Sequence, residues 1–309
     1  MTVAQQPFAE VATFGLATGA VFGLLALGLV LIYRTTGIMN FAHWAIGLLA
    51  VVAYAFLTGF GMIPQVSVPI SILTSILGGV AAYQVIFRRI SRANQIIVIL
   101  ISVALAQFFS SLAALALGFK QFTSLPRWLP IFEVSVGNAS LRSTQVITVV
   151  VSFGIAFGFL YWFRVSRTGR ALRAVAQNRE AATLAGIDET KYSSIAWGIG
   201  SALAALSLLF ILPHSAGSQG GIVTPFDLTP LGTLLIPAFG AALVGGLVNL
   251  PMAMVGGLLF GLAREMLVLA PRPWSDLRSA IAAILIVLLL LLRTERFFAS
   301  KQELEALEG

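Results

Sequence analysis

The chain has 309 residues, of which 58% are hydrophobic and only 10% are charged. Ordinary soluble domains carry charge on about a quarter of their residues, so this composition predicts an integral membrane protein. The net charge is +7, but the basic residues lie in short gaps between apolar runs, which argues against nucleic-acid binding. Cysteine is absent, which excludes disulfides and thiolate metal sites.

The apolar segments, taken in chain order at about 20 residues for each crossing, give nine spans. We therefore expect an all-α polytopic membrane protein with about 8–9 transmembrane or half-membrane helices. They form one transmembrane domain over residues 1–298, followed by a polar tail at 299–309. The predicted spans are Val11–Ile32, Ile38–Leu57, Val66–Phe87, Gln95–Leu117, Thr144–Phe163, Ser193–Leu212, Leu231–Leu250, Met252–Ala270 and Ser279–Leu292.

The basic residues predict the orientation of these spans in the membrane. Cytoplasmic loops carry an excess of Lys and Arg, and most of them fall on one side if the N-terminus lies outside and the C-terminus lies in the cytoplasm. The loop at 164–192 is then cytoplasmic. The residues assigned to that side are Arg34, Arg88, Arg89, Arg92, Arg164, Arg167, Arg170, Arg173, Arg179, Lys191, Arg293, Arg296 and Lys301.

Two apolar segments are interrupted in a way that predicts half-helices. In the first half, Asn40 can cap a helix that begins at Phe41. In the second, Thr229 is followed by Pro230, which suits an N-cap and the first helical position. Transporters use such helix starts at the membrane midplane to meet anionic groups of a substrate. Ordinary connections between helices would give the same pattern.

The loop at 164–192 contains a short polar helix with clear start and stop signals. Asn178 can cap it, Glu180 lies in its first turn, and Gly186 can adopt the left-handed conformation after its end. Such a helix, over residues 179–185, is too short to be stable alone, so it must lie against its own bundle or another protein. Its small apolar surface suits a protein groove better than lipid; it consists of Ala181, Ala182, Leu184 and Ala185.

Other residues have two interpretations each. His43 is either a substrate contact near the half-helix start or a histidine packed between helices. Arg264 and Glu265 either line a path through the bundle or extend toward the membrane interface. Five glycines are expected to let helices pack closely: Gly245, Gly246, Gly256, Gly257 and Gly261.

Three blocks of the sequence carry a family resemblance. They are the stretch from Tyr33 to His43, the loop from Ser166 to Gly186, and the stretch from Gly245 to Leu262. Together they resemble the permease subunits of branched-chain amino-acid type ATP-binding-cassette importers. Within the loop, the Glu-Ala-Ala sequence from Glu180 followed by Gly186 is similar to the loop that docks such permeases on their ATPase.

The chain also departs from this family pattern at several positions. Trp44 stands where the family usually has a small residue, and Val248 and Met252 replace two glycines. Arg264 precedes Glu265 where the family pattern is uncharged. These departures concern the substrate more than the coupling loop.

The resemblance implies a non-catalytic permease subunit in the inner membrane of a prokaryote, carrying branched-chain amino acids or a similar small amphipathic solute. It also implies a second homologous permease, an external solute-binding protein, and cytoplasmic ATPase subunits that hold ATP and Mg²⁺. The implied coupling residues are Arg170, Arg173, Asn178, Glu180, Ala181, Ala182 and Gly186. The expected substrate path includes Asn40, Phe41, His43, Thr229 and Glu265.

The residues also bear on other transport mechanisms and on enzyme activity. The chain has no nucleotide-binding P-loop motif, and no metal or nucleophile pattern that predicts an enzyme. A proton-coupled carrier would keep acidic or histidine relays in its spans, yet Asp227 is the single charged residue between Lys191 and Arg264. A passive channel or an ion-coupled carrier for urea or an amide stays open as an alternative.

Overall fold

The computed structural model describes residues 8–90, 94–120, 125–130, 132–136, 139–215, 234–271 and 273–292. These residues form a helical bundle, which confirms the predicted all-α class. The helices are α1 (Phe8–Thr36), α2 (His43–Gly59), α3 (Pro64–Ile90), α4 (Gln95–Lys120), α5 (Ser143–Val165), α6 (Arg167–Gln177), α7 (Arg179–Leu184), α8 (Glu189–Ser215), α9 (Leu235–Val244), α10 (Leu250–Met266) and α11 (Ile281–Leu292).

Six of the described helices are long and apolar enough to cross a membrane. They are α1, α3, α4, α5, α8 and α10 with the 3₁₀ turn that follows it. The shorter apolar helices are α2, α9 and α11. The prediction of a full crossing over Leu231–Leu250 is wrong within the described residues, because α9 ends at Val244 and a turn separates it from α10.

Helix α1 lies at the centre of the bundle. In its most apolar 18-residue window, 94% of the residues are buried. It is apolar all round, as expected of a helix with protein on every side. Helices α8 and α10 pack along it, and α2 and α3 pack in turn against α8.

The contact between α1 and α10 is made of glycines on both sides. Gly257 faces Gly23, and Gly261 faces Gly19, so closely that a Cβ on either α10 glycine would overlap α1 backbone atoms. Gly15 continues the same four-residue spacing on α1, where a Cβ would lie 3.2 Å from the Cα of Leu262. Glycines at this spacing let two membrane helices approach to backbone contact.

The other predicted packing glycines have different surroundings. On a neighbouring face of α10, a Cβ on Gly256 would lie 2.6 Å from the carbonyl oxygen of Ala241 in α9. Gly245 and Gly246 lie in the turn between α9 and α10. Gly246 has a φ of 63°, a left-handed conformation that glycine adopts without strain. After this turn α10 begins at Leu250, with Asn249 as its N-cap.

A two-stranded hairpin, β1 (Glu133–Val136) and β2 (Ala139–Arg142), precedes α5 and was not predicted. The strands are antiparallel, with Glu133 opposite Arg142. The segment before it is tied to the bundle by two hydrogen bonds. The Tyr54 hydroxyl donates to the Pro126 carbonyl at 2.6 Å, and the Trp128 indole donates to the Leu209 carbonyl at 3.1 Å. The segment before the hairpin is therefore attached to α2 and α8.

We expect Gly257→Val to destabilise the protein, because the added side chain has no space against α1. Overpacking of this kind costs about 1–3 kcal/mol. The measurement is the midpoint of thermal unfolding in detergent, followed by size-exclusion chromatography. Gly154→Val is the matched control, since a Cβ at Gly154 on α5 meets no other atom within 4 Å. Equal midpoints for the two variants would contradict the proposed role of the glycine contact.

Candidate functional site

Helix α7 is a single, firmly capped turn at the end of the bundle where α5 ends and α8 begins. The Asn178 side chain accepts a hydrogen bond from the Ala181 amide at 3.0 Å. At the other end, Gly186 has a φ of 81°, and the Ile187 amide donates to the Ala182 carbonyl at 3.0 Å. These bonds match an N-cap and a glycine C-cap of the Schellman type. They confirm the predicted helix, with Ala185 as its C-cap.

The exposed face of α7 differs from the prediction at one residue. Leu184 is 90% exposed, and Ala181 and Ala185 are also exposed. Ala182 is only 4% exposed, because its side chain faces the bundle. Its inclusion in the outward surface was therefore wrong. Glu180 is exposed in the first turn, where a carboxylate interacts favourably with the helix dipole.

Helix α6 anchors α7 to the end of α5. The Ser166 hydroxyl caps α6 by accepting from the Gly169 amide at 2.8 Å. Arg170 donates to the Val165 carbonyl at 2.8 Å, and Arg173 donates to the carbonyls of Phe163 and Arg164. These carbonyls belong to the last turn of α5, where no backbone amide of the helix is available to donate to them. Both arginines therefore attach the loop to the end of α5 through hydrogen bonds.

Arg179 connects α7 to α8 and to the end of α1. Its guanidinium lies 3.5 Å from the Glu189 carboxylate. A Cβ on Gly37 would lie 3.3 Å from the Nη2 atom of Arg179, so the two residues are neighbours. Gly37 has a φ of 67° and ends α1. The short helix therefore lies beside the point where the chain leaves α1.

After Gly37 the chain turns back into the bundle before α2 begins. Gly28, which lies roughly 12 Å along α1 from Thr36, faces His43: a Cβ on it would lie 2.7 Å from Nε2. The first residue of α2 is therefore level with the interior of α1. Ile38, Asn40 and Ala42 are buried on the way. Residues 38–42 thus run into the bundle beside α1, whereas Gly37 is exposed.

Asn40 shapes this segment, although it does not cap α2 as predicted. Its side-chain oxygen accepts from the Ala42 amide at 3.0 Å, and its carbonyl accepts from the His43 amide at 3.3 Å. The helix begins at His43, with Ala42 as the N-cap, two residues later than the predicted start at Phe41. The side chain of Asn40 stabilises a turn that leads into the helix, as Asx turns do.

Several buried polar atoms cluster near this helix start. Asn40 is 1% exposed, and its Nδ2 atom has no hydrogen-bond partner among the described residues. His43 is fully buried, and its ring lies near the backbone of Leu25 in α1. Its ring lies near backbone of α1 and α8, beside Gly28 and Gly200. His43 is therefore placed between helices.

Phe41 is the partly exposed side chain in the middle of the segment. Its ring stacks on Phe239 of α9, with centroids 5.4 Å apart. Its amide donates to the Ser102 hydroxyl of α4 at 3.3 Å. Neither Phe239 nor Ser102 was singled out from the sequence, because both contacts depend on how distant helices meet. Together they join the two halves of the chain at this point.

Glu265 belongs to an ion cluster near the other end of α1. It is 2% exposed and pairs with Arg278 and, at 3.8 Å, with Arg264. A Cβ on Gly15 would lie 3.3 Å from the Cβ of Glu265, so the cluster lies far from α7. One carboxylate and two guanidinium groups leave a net positive charge. Arg278 was not predicted, since nothing in the sequence pairs it with Glu265.

Thr229, the remaining predicted path residue, lies outside the described residues. The polar tail at 299–309 also lies outside them. Within the described residues, no group of three or more His, Asp or Glu side chains is arranged to hold a metal ion.

Most of the chain is similar to known membrane transport proteins. Residues 11–291 match the family model described as "Branched-chain amino acid transport system / permease component". The chain is similar to BraD, a high-affinity branched-chain amino acid transport system permease protein of Pseudomonas aeruginosa, with 30% identity covering 81% of this chain and 82% of that protein. The similarity to LivH of Escherichia coli is 25%, covering 82% and 83% of the two chains.

One solved structure has a similar fold. It is PsaBC from Streptococcus pneumoniae in complex with Fab, with a TM-score of 0.50, 15% identity and coverage of 90% of each chain.

We expect Asn178→Ala to loosen α7 by about 1 kcal/mol, because the Ala181 amide loses its acceptor. Hydrogen exchange of the peptide spanning residues 179–186 measures this loss directly. Asn178→Asp is the matched control, since an aspartate keeps the acceptor and places a negative charge at the helix start. If the alanine and aspartate variants exchange at the same rate, the side chain of Asn178 does not stabilise α7.

Proposed function

Because the chain belongs to the family of branched-chain amino acid transport system permease components, we propose that it carries branched-chain amino acids or a similar small amphipathic solute across the inner membrane. It does so as the membrane-spanning subunit of an ATP-driven importer. The observation that carries the proposal is the exposed, doubly capped helix α7 beside the chain break at Gly37. A passive channel or an ion-coupled carrier has no use for this helix.

In this proposal α7 lies in the cytoplasm and docks in a groove of a separate ATPase subunit. Leu184 is the apolar residue that enters the groove, while Ala181 and Ala185 let the partner's backbone come close. Glu180 and Gly186 complete the docking loop. Other side chains stabilise the structure of the loop and do not contact the ATPase subunit. These are Arg170, Arg173, Asn178 and Ala182.

Movement of the ATPase subunits passes into the membrane by two routes. The first runs through α6, whose arginines fix it to the carbonyl end of α5. The second runs through Arg179 to Gly37 and the buried segment that leads to α2. A displacement of α7 therefore shifts the end of a long helix and the break inside the bundle together.

The solute path passes the break, where Phe41 and Phe239 form a partly exposed apolar contact. Asn40 and His43 hold the segment and the start of α2, and the positive end of that helix dipole favours a negatively charged group. Thr229 supplies the corresponding helix start in the second half of the chain. The net positive charge around Glu265 attracts the carboxylate of the solute near the outer end of the path.

The complete importer includes further subunits. The ATPases bind ATP and Mg²⁺ and perform the hydrolysis, whereas this chain is non-catalytic. A second, homologous permease completes the membrane part, with the N-terminus of this chain outside and its C-terminus in the cytoplasm. An external solute-binding protein delivers the solute and contributes to selectivity.

The test is affinity purification of the tagged full chain from its native membranes, with mass spectrometry of the proteins that accompany it. Recovery of an ATPase and a second permease supports the importer. The purified complex is then reconstituted with its binding protein, and ATP-dependent uptake of radiolabelled leucine is compared with uptake of urea and of an aromatic acid. A chain that purifies alone after gentle crosslinking, or uptake of leucine without ATP, contradicts the proposal.

We expect Leu184→Asp to reduce ATP-dependent uptake at least tenfold, since a charge cannot enter an apolar groove and about 1.4 kcal/mol of lost docking energy is sufficient. Uptake by proteoliposomes and recovery of the ATPase on the affinity column are measured together. Leu184→Met is the matched control, because methionine has a similar volume and apolar character. Wild-type uptake by the aspartate variant, at equal membrane abundance, would refute the docking role.

A further inference from the structure

A large apolar groove lies between α3, α5 and α8, on a part of the surface that the transport proposal does not use. Its cavity volume is about 1100 Å³. On α8 it runs from Thr190 to Leu206, a length of roughly 24 Å at 1.5 Å per residue. This is most of the thickness of a bilayer's hydrocarbon core, about 30 Å.

The groove includes small residues. Gly198 and Ala202 of α8 line its floor, and Gly158 of α5 lines one wall. A Cβ on Gly158 would meet no other atom within 4 Å, so the wall at that position is open. The sides are larger and apolar, with Ile76 and Val80 on α3 and Phe159 on α5. Flexible hydrocarbon chains can fill a channel of this kind without unsatisfied polar groups.

The polar residues of the groove all lie at its α7 end. Gln84 donates to the Ser194 hydroxyl at 2.8 Å and accepts from Arg88 at 3.4 Å. Lys191 lines the same end, next to Asp188. The Asp188 carboxylate accepts from the Lys191 backbone amide at 3.1 Å, so it caps α8. The ammonium group of Lys191 lies over the ring of Tyr192, 6.0 Å from its centroid.

Two basic residues lie at this end of the groove. Lys191 of α8 lines it, and Arg88 of α3 donates to Gln84, which also lines it. One carboxylate, that of Asp188, lines the same end. Trp162 lines the groove one turn before the end of α5, and tryptophan is enriched where membrane helices meet lipid headgroups. The groove therefore combines an apolar surface with an end where basic groups outnumber the carboxylate by one.

We infer that this groove binds one anionic phospholipid of the surrounding bilayer. Its acyl chains lie along Gly198 and Ala202, and its phosphate group lies near Lys191 and Arg88. Basic pockets between membrane helices recognise anionic headgroups by the same charge complementarity. A zwitterionic lipid would fill the channel equally well but would gain less from the basic end.

The inference is tested by fluorescence quenching of Trp162, the tryptophan that lines the groove. The full chain, with any subunits that co-purify, is placed in phosphatidylcholine nanodiscs. Phosphatidylglycerol or phosphatidylcholine with brominated acyl chains is then titrated in. The signal of Trp162 is obtained by subtracting the titration of a Trp162→Phe variant, because the chain contains four other tryptophans.

Two matched pairs of variants separate the headgroup from the channel. Lys191→Gln removes a charge from the basic end, and Arg127→Gln removes one from an exposed position in the segment before the hairpin. Ala202→Phe fills the floor of the groove, and Ala104→Phe adds the same ring to an exposed position on α4. Neither pair changes a residue of helix α7 or of the proposed solute path.

We expect brominated phosphatidylglycerol to quench Trp162 at a lower mole fraction than brominated phosphatidylcholine. Lys191→Gln should reduce this preference about fivefold, the effect of one basic residue near a membrane surface. Arg127→Gln should leave it unchanged. Ala202→Phe should weaken quenching by both lipids, whereas Ala104→Phe should not.

Equal quenching of the wild-type protein by the two lipids would overturn the inference. Equal effects of Lys191→Gln and Arg127→Gln would also overturn it. So would a Trp162 that neither lipid reaches in a complex where Ala202→Cys crosslinks to the second permease, because the groove would then be a protein interface. All of these results are independent of whether the chain transports leucine.

Discussion

The backbone contact between α1 and α10 is the constraint on which the other helix positions depend. In a bilayer the lipid is as apolar as the helices, so close van der Waals contact stabilises their association. The glycines at 19, 23, 257 and 261 allow that contact. With α10 on one side and α8 on the other, α1 is enclosed by protein over its most apolar 18 residues. The break after Gly37 is therefore surrounded by helices, where buried backbone can be satisfied.

The loop that carries α7 is held by hydrogen bonds within the chain. Capping bonds fix both ends of the short helix, and arginine side chains attach α6 to the last turn of α5. A helix of six residues has little stability of its own. Its order comes from these attachments and from the buried side chain of Ala182. An exposed leucine on such a support can transmit force to the membrane helices.

The sequence predicted features that depend on neighbouring residues better than it predicted contacts between distant residues. The caps at Asn178 and Gly186 are visible in the sequence because each acts within a few residues. The inward orientation of Ala182 and the pairing of Glu265 with Arg278 depend on how separate helices pack together. A local pattern in a single sequence does not indicate such contacts. The four-residue spacing of the glycines on α1 was visible and was overlooked. The short length of α9 was missed because its apolar run continues beyond the helix.

The glycine contact also bears on the order of events during synthesis. Helix α1 enters the membrane long before α10 has been made, since most of the chain lies between them. Until then its glycine face meets lipid, which an uncharged, apolar helix tolerates. Contacts between residues so distant in sequence form late and slowly. The centre of the bundle thus enters the bilayer well before α10 and is one of the last parts to reach its final neighbours.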